Sequence, residues 1–140
     1  MVNPPKMGRE STECFEKYTG ERNQILNGLK ERASLLTTTF NDMERTTCNT
    51  IEGAMYAFPQ VHFSEKALQE ASKQNVPADF MYCMDMVNET GIMTVPGSGF
   101  GQKENDYHYR ITNLVSPTED LVSTLELLKE YNLRFHNKYE

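Results

Sequence analysis

From residue 21 onward, Ile25, Leu29, Ala33, Leu36, Phe40 and Met43 recur at spacings of four, four, three, four and three, with polar residues between them. That is the signature of one apolar stripe on a long helix. Spanning residues 21–45, such a helix is about 30 Å long or more at the α-helical rise. A compact core of this size needs less, so the pattern predicts a helix that bridges two bodies. Ahead of it, residues 1–20 read as an extended or irregular lead. Pro4 and Pro5 exclude helix, Gly8 and Gly20 punctuate the chain, and only a short helical turn over residues 13–18 is compatible.

Downstream the pattern changes. Thr46-Thr47-Cys48 reads as a short strand, and Gly53-Ala54 leads into a second, Met55-Tyr56-Ala57-Phe58, which Pro59 ends. Ser64 suits the N-cap of a helix through Lys73, which residues 75–77 break. Phe80, Met84 and Val87 mark a further helix, and Gly91 stands where a C-cap glycine belongs. Residues 92–95 read as a short buried strand and 96–102 as a loop built on three glycines. Over residues 107–112 polarity alternates: Tyr107, Tyr109 and Ile111 face one way, His108, Arg110 and Thr112 the other. Ser116-Pro117-Thr118-Glu119 predicts a capping box with proline at the first helical position. Leu121, Leu125 and Leu128 give that last helix its buried stripe, and Arg134, His136 and Lys138 suit the negative pole of its dipole. Long helix, strands, two helices, strands and final helix define an α+β fold, a two-layer α/β sandwich with helices covering a short sheet. No internal repeat interrupts this order.

Composition adds exclusions. The 140 residues carry a formal charge of -6, whereas a nucleic-acid partner calls for a basic stripe. No apolar run approaches the ~20 residues of a membrane helix, so neither nucleic acid nor membrane is an expected partner. Cys14, Cys48 and Cys83 form no CxxC pair and no metal-ligand spacing with His62, His108 or His136. They read as reduced thiols in an intracellular, cytoplasmic protein without a metal site. The first residues show neither the basic start nor the apolar stretch of a secretory leader.

Three features could carry chemistry. Arg110, in mid-strand on the polar side, is either a solvated surface arginine or a bidentate anion clamp. A planar guanidinium offers two parallel donors that match a carboxylate, which lysine does not. Position alone does not choose between the two. Val95-Pro96-Gly97-Ser98-Gly99-Phe100-Gly101 lets backbone approach a ligand closely at Gly97, Ser98, Gly99 and Phe100, yet it matches neither a phosphate loop nor the dinucleotide GxGxxG. His108 shares the arginine's face, but no nucleophile is placed for it to activate, so it reads as structural. The acidic residues form no evident catalytic pair, and no catalytic residue is expected in this chain.

At these same positions the sequence resembles a known family. Cys48-Asn49 followed by Glu52-Gly53-Ala54-Met55-Tyr56-Ala57-Phe58-Pro59, then Glu89-Thr90-Gly91-Ile92 with the glycine run through Gln102, then Tyr107-His108-Tyr109-Arg110-Ile111-Thr112, are similar to alanine aminotransferases and come in that family's order. Val2-Asn3-Pro4-Pro5-Lys6 is similar to the segment where the family's chain leaves its large domain. The resemblance implies the small C-terminal domain of the aspartate-aminotransferase fold. Residues 1–20 would be the lead from the large domain, 21–45 the interdomain helix and 46–140 the small domain. It also implies pyridoxal-phosphate-dependent exchange of an amino group between alanine and 2-oxoglutarate, with Arg110 binding the substrate α-carboxylate and residues 97–100 near the substrate entrance. Its implied partners are a small amino or 2-oxo acid, the chain's own large domain and a second subunit of a homodimer. None of the eight lysines stands in the family's cofactor-lysine context, which implies that the cofactor is held from elsewhere and that this chain alone is inactive. A stand-alone anion-binding module, or another aminotransferase of the same fold, are the alternatives.

Overall fold

A computed structural model describes residues 12–140; the expected lead at its Pro4-Pro5 end lies outside the described residues. Helix α1 runs over Glu13–Asp42, starting eight residues before the stripe predicts (21 − 13). Thr12 caps it, its hydroxyl accepting from the Phe15 amide at 3.3 Å, and Glu13 and Glu16 suit the positive pole of the helix dipole. Gly20 does not break it: a glycine in an exposed helix interior costs only about 1 kcal/mol.

After α1 come β1 (Thr46–Thr47), β2 (Tyr56–Ala57) and β3 (Gln60–Val61), helices α2 (Glu65–Lys73) and α3 (Ala78–Thr90), β4 (Val95–Pro96), β5 (Tyr109–Thr112) and α4 (Thr118–Lys138). β1 and β3 form an antiparallel pair, and β2, β5 and β4 form a three-stranded antiparallel sheet with β5 at its centre. A bridge between Gln60 and His108 joins the two. The fold is α+β, with helices on one face of a small sheet and a long helix leading in.

Local chemistry explains most elements. Ser64 caps α2 by accepting from the Ala67 amide, and Gly91 closes α3 in the left-handed conformation at φ +74°. Two expectations fail, and two features were not legible. Residues 92–94 are not strand, and Val95 in β4 is partly exposed, because the sheet edge leaves that segment uncovered. The Ser116 capping box does not form: Pro117 occupies the N-cap and provides no side-chain acceptor. Phe80 and Met84 face solvent while Met81, Tyr82, Cys83 and Met86 are buried; α3 is apolar nearly all round, so periodicity could not choose its inner face. Strand β3, two residues long, gave no pattern to read.

The core lies between the helices and the Tyr109–Ile111 face of β5. Leu36 and Phe40 from α1, Tyr82 and Met86 from α3, and Leu121, Leu125 and Leu128 from α4 meet there. Burying each such side chain contributes about 1.5–3 kcal/mol. Polar bonds fix the helices' orientation. The Tyr82 hydroxyl donates to Asn132 Oδ1 at 2.8 Å, Asn132 Nδ2 donates to the Glu44 carbonyl at 2.9 Å, and the Tyr131 hydroxyl donates to the Tyr82 carbonyl at 2.7 Å. Arg32, buried in α1, donates from Nε to the Asn113 carbonyl at 2.8 Å and ties the long helix to the end of β5. The apolar stripe of α1 outruns this core: Ala33, Leu36, Phe40 and Met43 are buried, but Ile25 is 62% exposed.

Candidate functional site

The alternation of β5 decides what the open face of the sheet displays. Tyr109 and Ile111 point into the core, so Arg110 and Thr112 point away from it. The register sets Tyr56 opposite Thr112 and Val95 opposite Arg110, which brings Tyr56 onto the arginine's face. The Arg110 guanidinium carbon lies 4.7 Å from the centre of the Tyr56 ring and 5.1 Å from that of Phe100. Two rings thus hold one cation, each contact worth about 0.5–2 kcal/mol according to its desolvation. Ion pairs among the described residues use Arg45, Lys73, Arg134 and Lys138; Arg110 has no carboxylate of its own there.

The aromatic surround continues outward. Phe58 packs edge-on against Phe100 at 5.8 Å and lies parallel to the His108 ring at 4.9 Å. His108 Nδ1 also sits 3.2 Å from the Asp106 carbonyl, so this histidine is engaged by neighbours on both its face and its edge. Beside it is a hollow of about 270 Å³ whose walls include Cys48, Tyr56, Phe58 and His108; no lysine lines it. Among the described residues no cluster of His, Cys, Asp or Glu could hold a metal ion, and no helix is long and apolar enough to cross a membrane.

The glycine run is more ordered than a loop. β4 turns directly into a single 3₁₀ turn over Gly97–Phe100, ended by Gly101 at φ +71°. Gly97 donates its amide to the His108 carbonyl at 2.7 Å. A Cβ there would stand 2.8 Å from that same carbonyl oxygen, so only glycine fits. Asp79, 2% exposed in the first turn of α3, accepts the Ser98 amide at 2.6 Å and Gln102 Nε2 at 3.2 Å on one oxygen, Oδ2. Gln102 Oε1 in turn accepts the His108 amide at 3.0 Å. Nearby, burial first and the Asp79 charge after it push the Cys83 thiol up to about 12, which leaves it an inert core residue.

Of the residues singled out from the sequence, Arg110 and Phe100 meet directly. Gly97 and Ser98 serve the turn beneath them, and Gly99 stands open, with nothing within 4 Å of a Cβ built on it. Tyr56, Asp79 and Gln102 were missed. The first was legible in principle, since alternation through Met55-Tyr56-Ala57-Phe58 puts Tyr56 and Phe58 on one face. A buried acid inside an apolar helix leaves no such trace.

Comparison with known proteins gives this arrangement a class. No family model matches the chain. It aligns with the solved alanine aminotransferase from Pyrococcus furiosus at a TM-score of 0.63 and 21% identity, over 87% of this chain and 26% of that one. The fold is therefore one found within aminotransferases, an α+β unit with a long leading helix. Sequence relatives narrow the class. Alanine aminotransferase 2 of Xenopus laevis is 41% identical over 139 residues, 99% of this chain and 25% of the relative. Glutamate–glyoxylate aminotransferase 1 of Arabidopsis thaliana is 43% identical over 141 residues, 100% of this chain and 28% of the relative. Over its whole length the chain is similar to alanine aminotransferases and related aminotransferases, and it spans about a quarter of the length of the relatives it matches.

Proposed function

We propose that this chain is the C-terminal, substrate-binding part of a pyridoxal-phosphate-dependent transaminase that exchanges an amino group between alanine and 2-oxoglutarate. Arg110 pairs with the substrate α-carboxylate. The observation that carries this reading is a guanidinium packed against Tyr56 and Phe100 on the open face of the sheet, with no carboxylate of its own among the described residues. A bidentate pair fixes both the position and the plane of the carboxylate, and so fixes which bond at Cα faces the reacting centre. The rings keep water from the faces of the cation, which strengthens the pairing.

Pyridoxal phosphate, when bound, supplies the electron sink that transamination needs. The residues here do not fit the task of holding it. No lysine lines the hollow beside Tyr56 and His108, and Lys66, Lys73 and Lys138 are engaged with Glu140, Glu70 and Asp85 on other surfaces. The cofactor belongs to a large domain outside this segment, with α1 as the bridge and residues 46–140 as the small domain. The chain alone is then inactive; turnover of alanine by the purified 140 residues would overturn that division of labour. Homodimerisation is assigned to the large domain, and a reducing, cytoplasmic setting suits the three free cysteines.

In the full-length enzyme carrying this segment, Arg110→Lys should raise KM for alanine and 2-oxoglutarate together. Lysine keeps the charge but gives up one of the two parallel charge-assisted bonds, which costs about 1.5–3 kcal/mol, or roughly 10- to 150-fold. Unchanged KM for both substrates would exclude the assignment. The Arabidopsis relative keeps a second reading in view, in which glyoxylate replaces 2-oxoglutarate as acceptor; comparing kcat/KM for the two oxo acids separates them.

A further inference from the structure

We infer that Asp79 is a positioning residue for the Arg110 site: it clamps the 3₁₀ turn so that Phe100 lies over the guanidinium. The inference rests on the assignment of Arg110 to the substrate carboxylate and goes beyond it to the device that holds the arginine ready.

The geometry is a chain of contacts. Asp79 comes from α3, on the helix side of the sheet, and is almost fully buried. Its Oδ2 gathers the Ser98 amide and the Gln102 side chain, one at the start and one just past the end of the turn. Gln102 passes the restraint to the His108 amide, one residue before Tyr109 and two before Arg110. Gly97 closes the circuit through the His108 carbonyl. Phe100, the residue in this circuit that touches Arg110, makes no hydrogen bond of its own through its ring, so its position follows from the turn that carries it.

Stability alone does not account for the carboxylate. Its other oxygen, Oδ1, is buried without a hydrogen-bond partner among the described residues, and no cation pairs with it there. A buried carboxylate with a bare oxygen is a costly way to hold a turn. Its place in the first turn of α3, where the helix dipole favours negative charge, offsets part of that cost.

The test is steady-state kinetics of the full-length enzyme with Asp79→Ala, Asp79→Asn, Gln102→Leu and Phe100→Leu, read as separate KM and kcat values. Asp79→Ala should raise KM for alanine and for the oxo acid by about tenfold, with kcat changed less than about threefold, because carboxylate binding is lost in ground and transition states alike. Asp79→Asn, whose amide oxygen still accepts from the Ser98 amide, should restore KM to within threefold. Phe100→Leu should reproduce the Asp79→Ala pattern. If Asp79→Ala does not fold, Gln102→Leu carries the test and should raise both KM values by about fivefold. Unchanged KM in Asp79→Ala, or in Gln102→Leu where it stands in, would overturn the inference even if thermal stability falls. Arg110→Lys, run beside them, keeps the two ideas apart. If it moves KM while the Asp79 and Gln102 variants do not, the clamp fails and the carboxylate site stands; if it does not, the site itself fails.

Discussion

Tyr109 and Arg110 are adjacent, yet the pleat of β5 gives them opposite surroundings. Tyr109 is buried to 1% exposure and its hydroxyl finds no partner among the described residues. Tyr131, also buried, donates its hydroxyl to the Tyr82 carbonyl. Removing an unsatisfied buried hydroxyl relieves a desolvation penalty, whereas removing a bonded one strands the acceptor. Tyr109→Phe should therefore leave the stability of the 140-residue chain unchanged or raise it by about 1 kcal/mol, and Tyr131→Phe should lower it by about 1–2 kcal/mol. Urea unfolding checks both, and equal losses would contradict the account. His136 adds a pH dependence. Burial first, and the Arg45 charge after it, hold its imidazole below the ordinary histidine value of about 6.5. The fold prefers the neutral ring, so this contribution is fully present above about pH 6.5 and is lost as pH falls towards the depressed native value. The urea midpoint should drop between pH 7 and 5 in the wild-type chain and drop less in His136→Phe; equal drops would assign the effect to other groups. At this scale the sequence showed that Arg110 and Tyr109 point opposite ways. It did not show which rings would cover the arginine, because Tyr56 arrives through register with a strand more than fifty residues away and Phe100 through the shape of the turn.

Elements were legible where one clear period or one strong cap governed them. Ser64, Gly91 and the leucines of α4 announced their helices, and strict alternation announced β5. The inner face of α3 was not legible, because Phe80 and Met81, or Met84 and Cys83, are equally apolar neighbours and only tertiary packing separates them. The start of α1 was misread because Gly20 looks like punctuation, although a helix of 30 residues tolerates one exposed glycine. The glycine run was seen as a loop, and its order comes from Asp79, nineteen residues upstream. That order predicts a sharp effect at Gly97. A methyl group there meets backbone, which cannot rotate away, so the turn must shift and carry Phe100 with it. Gly97→Ala should cost about 1–3 kcal/mol of stability, the usual range for forced overpacking, and should raise substrate KM in the full-length enzyme. Gly99→Ala, with open space around it, should do neither, and kinetics alike for the two variants would contradict the packing seen here.

For the whole molecule, the α+β layering follows from the order of elements, and the length of the first stripe foretold a long leading helix. α1 buries only its C-terminal half; Tyr18, Ile25 and Leu26 are exposed along the rest. The chain spans about a quarter of the length of the relatives it matches. The central claim is that Arg110 recognises the substrate's carboxylate. It is tested most directly by comparing kcat/KM for alanine and for alaninamide, its uncharged counterpart, in the full-length enzyme and in its Arg110→Met variant. We predict that the wild-type enzyme prefers alanine by a large factor and that the variant loses that preference by roughly 10- to 150-fold, the worth of one charged bidentate pair. A preference for alanine undiminished in Arg110→Met would mean that another group binds the carboxylate and that Arg110 has a different task.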